Sequence, residues 1–234
     1  MRGRRRRDDG AVPTSTLSFT LRVARSPADL ADACRVRSTA YGRHLPAMAQ
    51  PLERPDALDA QAGTAVLLCR DKASGAAVGT LRIQRNQHGP LLLEHSLILP
   101  HRLAQRPRAE ITRLAVLPGA DALVRPALMK ACYLYGLASQ VRHLVIGARS
   151  GPLIRIYRGL GFEDVLGPDT MVPLAHAGGL PHRILALDVV AAERTWLAAG
   201  HGLYPFMIDT WHPEIQLFDD APLPLPAQRA EAAA

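Results

Sequence analysis

The sequence is poor in aromatic residues and in cysteine, and it lacks any long apolar run. Four Phe, five Tyr and two Trp in 234 residues are too few for a stacking platform that binds single-stranded nucleic acid. The three cysteines, Cys34, Cys69 and Cys132, are odd in number, far apart and set among apolar residues. That excludes a disulfide framework and a zinc knuckle, and it suits buried thiols in a reducing cytoplasm. No stretch reaches the ~18 to 20 apolar residues of a membrane span. The histidines show no H-E-x-x-H or other ligand spacing, so no metal site is expected. What is present is a 48% hydrophobic fraction, which is enough to build a core and excludes a wholly disordered chain.

Charge is unevenly placed. The chain carries 28 Lys and Arg against 21 Asp and Glu, a net of +7. Residues 1–10 hold Arg2, Arg4, Arg5, Arg6 and Arg7 with Asp8 and Asp9, a net of +3, which leaves +4 for the rest. Clustered Arg predicts a disordered tail over 1–16. No apolar segment follows it, so a cleaved signal peptide is not expected. The mildly basic body fits an acidic protein partner better than nucleic acid.

Patterning gives the element order. Leu17, Phe19, Leu21 and Val23 alternate with polar residues and predict a half-buried strand. Ser26, Pro27 and Asp29 form a helix start with a capping-box pattern, and the helix is expected to reach about His44. Leu45–Gly63 has no clear period and is expected to be a long functional loop. Thr64–Arg70 and Ala76–Arg85 flank a polar turn with Gly75 and predict a hairpin. Further strands are expected at Leu91–Glu94, Glu110–Val116, Leu144–Ala148, Phe162–Val165 and Arg183–Val189. Helices are expected at Leu123–Gln140, Ser150–Leu160 and 191–199. Leu203–Phe218 reads as irregular. The result is an α/β fold, a mixed and mostly antiparallel sheet flanked by helices on both faces. It forms one domain over 17–220, with a core at about 17–190, a C-terminal cover over 191–220 and a flexible tail at 221–234.

Charges fall where burial makes them costly. Leu30, Cys34, Arg37 and Tyr41 share one helix face, which places Arg37 in the apolar stripe. Arg82 lies in the strand Val78-Gly79-Thr80-Leu81-Arg82, on the face opposite Leu81 and Ile83, where alone it reads as ordinary surface. In the strand Glu110-Ile111-Thr112-Arg113-Leu114-Ala115-Val116 both faces carry charge beside apolar residues. A central strand of this kind needs buried partners for its charges. Asp56 and Asp59 in the long loop are candidates, and a helix N-cap or a solvated loop is the other reading of that pair.

Taken in order, Arg37-x-x-x-Tyr41, Asp56-x-x-Asp59, Arg82 and Glu110-x-Thr112-Arg113-x-x-Val116 resemble the charged signature of acyl-homoserine-lactone synthases, members of the GNAT-like N-acyltransferase superfamily. Ile156-Tyr157-Arg158-Gly159-Leu160-Gly161-Phe162 resembles that superfamily's helix-to-strand step. The segments Gly200–Phe206 and Trp211–Ile215 are more similar to FeeM-type long-chain N-acyl amino acid synthases. The resemblance implies transfer of a fatty acyl group from acyl-carrier protein to the amine of an amino acid, in the cytoplasm. The alternatives are an acyl-homoserine-lactone synthase using S-adenosylmethionine, and a non-catalytic acyl- or carrier-binding module.

That chemistry assigns expected roles. Glu110 would take the amine's proton, with Thr112 and Arg113 beside it; the other reading of Glu110 is an ion pair with Arg82 or Arg37. Arg37 or Arg113 would clamp the acceptor's carboxylate. Tyr41, Asp56, Asp59 and Arg82 would complete the acceptor site. Backbone N–H groups at Leu114, Ala115 and Val116 would polarise the thioester. The expected pocket walls are Leu81, Ile83, Leu114, Val116 and Ile146. Leu117–Pro126 lacks paired glycines and carries Asp121 and Pro126, so it suits a single phosphodiester better than a pyrophosphate. No permanent cofactor is expected; the donor is the acyl-phosphopantetheine of acyl-carrier protein. Arg125, Lys130, Arg142, Arg149, Arg155 and Arg158 are candidates for the carrier's docking surface. The lipid product implies transient membrane contact.

Overall fold

The computed structural model describes residues 12–218; the expected terminal tails at 1–11 and 219–234 lie outside the described residues. Strand β1 (Phe19–Val23) leads into helix α1 (Pro27–Gly42). Three 3₁₀ turns follow, at Pro46–Met48, Gln50–Leu52 and Ala57–Ala60. Then come β2 (Thr64–Asp71), β3 (Ala77–Arg85), 3₁₀ turns at Asn86–His88 and Leu92–His95, the short α2 (His101–Ala104) and β4 (Arg108–Val116). The second half contains α3 (Val124–Ala138), β5 (His143–Ala148), α4 (Gly151–Gly159), β6 (Glu163–Asp164), β7 (Val172–Leu174), a 3₁₀ turn at Ala175–Ala177, β8 (Leu180–Asp188) and α5 (Val189–Ala198). A π-helical turn at Pro205–Asp209 and β9 (Ile215–Gln216) complete it.

The sheet runs β6-β8-β5-β4-β3-β2-β1-β9, and β7 pairs with β8. β4–β5 and β1–β9 are parallel pairs; the other neighbours are antiparallel. The fold is therefore mixed and mostly antiparallel, as patterning predicts. β2 explains why helices cover both faces: Val66 and Leu68 pack with Ala33 of α1, while Leu67 and Cys69 join the main core with Leu128 and Cys132 of α3. A strand buried on both faces reads as a near-continuous apolar run, and β2 has that composition. α1 starts as expected, with Asp29 N–H donating to Ser26 Oγ and Ser26 N–H donating to the Asp29 carboxylate. All three cysteines are buried and free.

Several expectations need correction. Leu91–Glu94 is a helical turn, not a strand. Its backbone donors are taken by side chains: Leu91 N–H donates to Glu94, Leu92 N–H to Gln84 Oε1, and Leu93 N–H to Glu110. Side-chain acceptors thus capture the groups that a strand ladder would use. α1 ends at Gly42, short of His44. The long loop contains three turns rather than irregular chain. Two short strands, β7 and β9, occur where none was expected; β9 docks beside β1 through Leu21 N–H donating to the Glu214 carbonyl.

Candidate active site

Two features of β4 open a cavity in the sheet. The β3–β4 register passes from Thr80↔Ala115 to Arg82↔Thr112, so one extra residue of β4 bulges out. Arg113 sits in that bulge with φ +57°. A left-handed conformation is costly for a non-glycine residue, on the order of 1 kcal/mol or more, and persists where the surroundings enforce it, often at functional sites. On its other side the parallel ladder to β5 stops at Ile111↔Ile146. Beyond that point the two strands part, and a cavity of about 550 Å³ lies between them. Its walls include Glu110 to Val116 of β4, Ile146 and Gly147 of β5, Tyr41 of α1, Tyr157 of α4 and His176.

A charged cluster closes one side. Arg37 is buried, and its Nη1 donates to both Asp59 oxygens at 3.0 and 2.8 Å. Arg82 is also buried; its Nη1 donates to Asp56 at 2.7 and 2.8 Å and to Asp59 at 3.2 Å, and its Nε donates to Thr112 Oγ1 at 3.0 Å. The two aspartates also cap their own turn. Asp56 accepts from Leu58 and Asp59 N–H, and Asp59 accepts from Asp56 N–H. Both sequence readings of the pair therefore hold together: one 3₁₀ turn aims two carboxylates at two arginines. Burial raises the Asp56 carboxyl, but the Arg82 hydrogen bond and the nearby charges of Arg82 and Arg113 outweigh it and hold it below its ordinary value.

Arg113 differs from the other two arginines. Its Nη2 is 3.8 Å from Asp56, beyond hydrogen-bond distance, whereas Arg37 and Arg82 each donate to a carboxylate; and Arg113 lines the cavity. Three guanidinium groups face two aspartates here, so the cluster has one unmatched positive charge beside the cavity. Burial, then the charge of Arg82, pulls the Arg113 guanidinium down from its ordinary value.

Glu110 is 1% exposed. Its Oε2 accepts from Leu93 N–H at 2.9 Å, and its Oε1 lies 3.5 Å from His176 Nε2. Burial pushes its carboxyl up to about 7, the range useful to a general base at neutral pH. The carboxylates that hold Arg37 and Arg82 are Asp59 and Asp56, so the ion-pair reading of Glu110 gives way to a carboxyl facing the cavity.

The structure thus gathers Tyr41, Glu110, Thr112, Arg113, Leu114, Ala115, Val116 and Arg125 around one cavity. It places Arg37, Asp56, Asp59 and Arg82 in the cluster that supports it. Arg37 is engaged with Asp59 and is not free to clamp a substrate. Leu81 and Ile83 are in the main core instead of the cavity wall, whereas Leu114, Val116 and Ile146 do line it. Lys130 is no surface residue. It is buried, and its Nζ donates to the carbonyls of Phe206 and Thr210 and meets His212 Nδ1. His176 and His182 line the cavity without any signal in sequence; they arrive on the β7–β8 hairpin, whose first strand was not legible.

No protein-family profile matches the chain, and no curated protein matches it by sequence. Solved structures do. FeeM, an N-acyl amino acid synthase from uncultured soil microbes, aligns with a TM-score of 0.59 and 18% identity over 81% of this chain and 98% of its own. BjaI, a CoA-dependent acyl-homoserine lactone synthase solved with SAM and isopentyl-CoA, aligns at 0.54 and 17% over 83% of this chain and 93% of its own. FdhC, a nucleotide-linked sugar GNAT, aligns at 0.52 and 7% over 79% of this chain and 94% of its own. The chain shares its mixed, mostly antiparallel fold with these solved GNAT-like structures.

Proposed function

We propose that this chain is an acyltransferase that moves a long-chain fatty acyl group from the phosphopantetheine of acyl-carrier protein to the amine of an amino acid. The observation that carries the reading is the placement of Glu110 and Arg113 three residues apart on β4, both lining one cavity. Glu110 takes the proton of the attacking amine. Arg113, with its share of unmatched positive charge, holds the acceptor's carboxylate. The edge of β4 at Leu114–Val116, left without a β5 partner, turns backbone N–H groups toward the thioester carbonyl. Thr112, held by Arg82 Nε, keeps the bulge in place between these groups.

The loop after β4 supports a carrier-protein donor over a free coenzyme. Asp121 accepts from Leu123 N–H at 2.8 Å and from Ser18 Oγ–H at 2.5 Å. A carboxylate thus occupies the Leu123 N–H at the start of α3, a donor that a pyrophosphate would use. Arg125, Arg149 and Arg155 are exposed, and the first two line the cavity; they suit an acidic carrier. No described helix is long and apolar enough to cross a membrane. The second reading is synthesis of an acyl-homoserine lactone. The same unmatched charge favours it, because S-adenosylmethionine carries the same carboxylate and amine.

The test is expression in a bacterium followed by mass spectrometry of the lipid extract. A new fatty N-acyl amino acid is expected. A lactone supports the second reading, and no product, even with purified chain, acyl-loaded carrier protein, all amino acids and S-adenosylmethionine, overturns both.

A further inference from the structure

His176 occupies the 3₁₀ turn Ala175–Ala177 between β7 and β8. Its side chain is 16% exposed and lines the cavity. One segment positions it and Glu110 together. Leu93 N–H donates to Glu110 Oε2 at 2.9 Å, and three residues on, Ser96 Oγ accepts from Ala175 N–H at 2.9 Å. Gly178 closes the turn at φ +68°, where a side chain would be strained. Leu93 thus fixes one oxygen of Glu110, while the other is left 3.5 Å from His176 Nε2 and beside the cavity. Among the described residues His176 Nδ1 is buried with no hydrogen-bond partner, and besides Glu110 the ring meets the backbone of Leu92. An imidazole held this way is costly as a packing element, and the geometry gives it a proton partner.

We propose that His176 is the second acid–base group of the site, passing the proton that Glu110 takes from the amine on to the departing thiolate. The inference rests on the acyl-transfer reading above. In the step, the amine nitrogen bonds to the thioester carbon and the C–S bond breaks, its electron pair staying on sulfur. The amine's proton moves to Glu110 Oε1, then to His176 Nε2, then to the thiolate, and both side chains return to their starting states. Burial, then the charge of Arg113, lowers the imidazole to about 4, so it is neutral at pH 7 and holds a proton only briefly. The imidazole is less basic than the carboxylate, and a thiolate with an ordinary pKa of about 8.5 draws the proton onward. The charged and titratable groups around the pair are Arg82 on β3, Glu94 on the adjoining turn, Arg113 on β4 and His182 on β8. Across the cavity lie Tyr41 and His44.

Two measurements test the relay. Thiol release is followed from carrier protein loaded with C8 to C16 acyl chains, with all amino acids and S-adenosylmethionine present. His176→Ala and His176→Gln are expected to lower kcat about 10- to 100-fold with the acceptor KM within about twofold, and added imidazole to restore part of the His176→Ala rate. Release by the wild-type chain with kcat within about twofold in both variants overturns the relay alone; no release by the wild-type chain overturns the acyl-transfer reading itself. The second measurement needs no substrate. Ring ¹⁵N signals of His176 in the intact protein are expected to respond with a midpoint near that of Glu110, about 7, and to lose that response in Glu110→Gln. Signals indifferent to that substitution overturn the pairing.

Discussion

Arg37 and Asp59 form an ion pair sealed from solvent, with side chains 2% and 1% exposed and one guanidinium nitrogen shared between both carboxylate oxygens. Asp59 also accepts from Arg82, so one carboxylate serves two buried arginines. Removing one partner of such a pair strands a charge, which typically costs about 3–5 kcal/mol. Asp59→Ala is expected to lose that much stability in urea unfolding, with Asp59→Asn intermediate. A loss below about 1 kcal/mol would show that the network does not hold α1 to the sheet.

Glu110 carries a pH dependence whose sign follows from its raised carboxyl. Below pH 4.5 it is protonated in both folded and unfolded chains and has no effect. Between 4.5 and about 7 the folded chain keeps a proton that the unfolded chain has lost, so stability falls as pH rises through this window. Above it the loss is complete, on the order of 3 kcal/mol. Glu110→Gln removes this ionisation. The variant is expected to be more stable than the wild type at pH 8 but not at pH 4, while acyl transfer falls about 10²- to 10⁴-fold. Urea unfolding at both pH values decides the first part.

Arg113 is expected to act on acceptor affinity. Arg113→Ala should raise the acceptor KM about 10- to 100-fold, the worth of a hydrogen bond to a charged group. Arg113→Lys should rescue little, because an ammonium cannot pair two oxygens from a planar fork. An unchanged acceptor KM in both variants would remove Arg113 from the acceptor site.

Lys130 ties the C-terminal segment to α3. Its Nζ donates to the Phe206 and Thr210 carbonyls at 2.8 and 2.6 Å and lies 5.5 Å from the Phe206 ring centre. Burial lowers its pKa to about 8. Lys130→Met leaves those carbonyls without their donor, at a cost of about 1–3 kcal/mol. Hydrogen exchange is expected to quicken over 206–216, with β2 and β3 unaffected; uniform protection would contradict the tether.

Gly79 lies where Val124 and Leu128 of α3 pack against β3. A Cβ there would fall 2.5 Å from Val124 Cγ1, so the Val124 side chain or the backbone carrying it must shift. Gly79→Ala should cost about 1–3 kcal/mol through overpacking, and Gly79→Ala with Val124→Ala should recover part of it. Thermal unfolding of both variants checks this.

Local physics made much of the fold legible. The Ser26–Asp29 capping box, the alternation of β1 and the polar turn before β3 each follow from nearby residues, and each stands where the sequence predicts. Leu91–Glu94 was misread because its apolar spacing fits a strand, while the acceptors that bend it into a turn come from Gln84 and Glu110 as well as Glu94. β7 and β9 are two or three residues long, too short to carry a period.

The site divides in the same way. The sequence alone determined that Arg37, Arg82, Glu110 and Arg113 sit on buried patterns and need partners, because burying a charge is costly wherever it occurs. Only the tertiary structure decided which partner each one has. Asp59 takes Arg37, Asp56 takes Arg82, and Arg113 is left with charge to spare beside the cavity. His176 reaches Glu110 from 66 positions along the chain, on a hairpin without a periodic signal. The bulge at Arg113 and the parting of β4 from β5 likewise depend on hydrogen-bond register between strands, which no single strand's sequence contains.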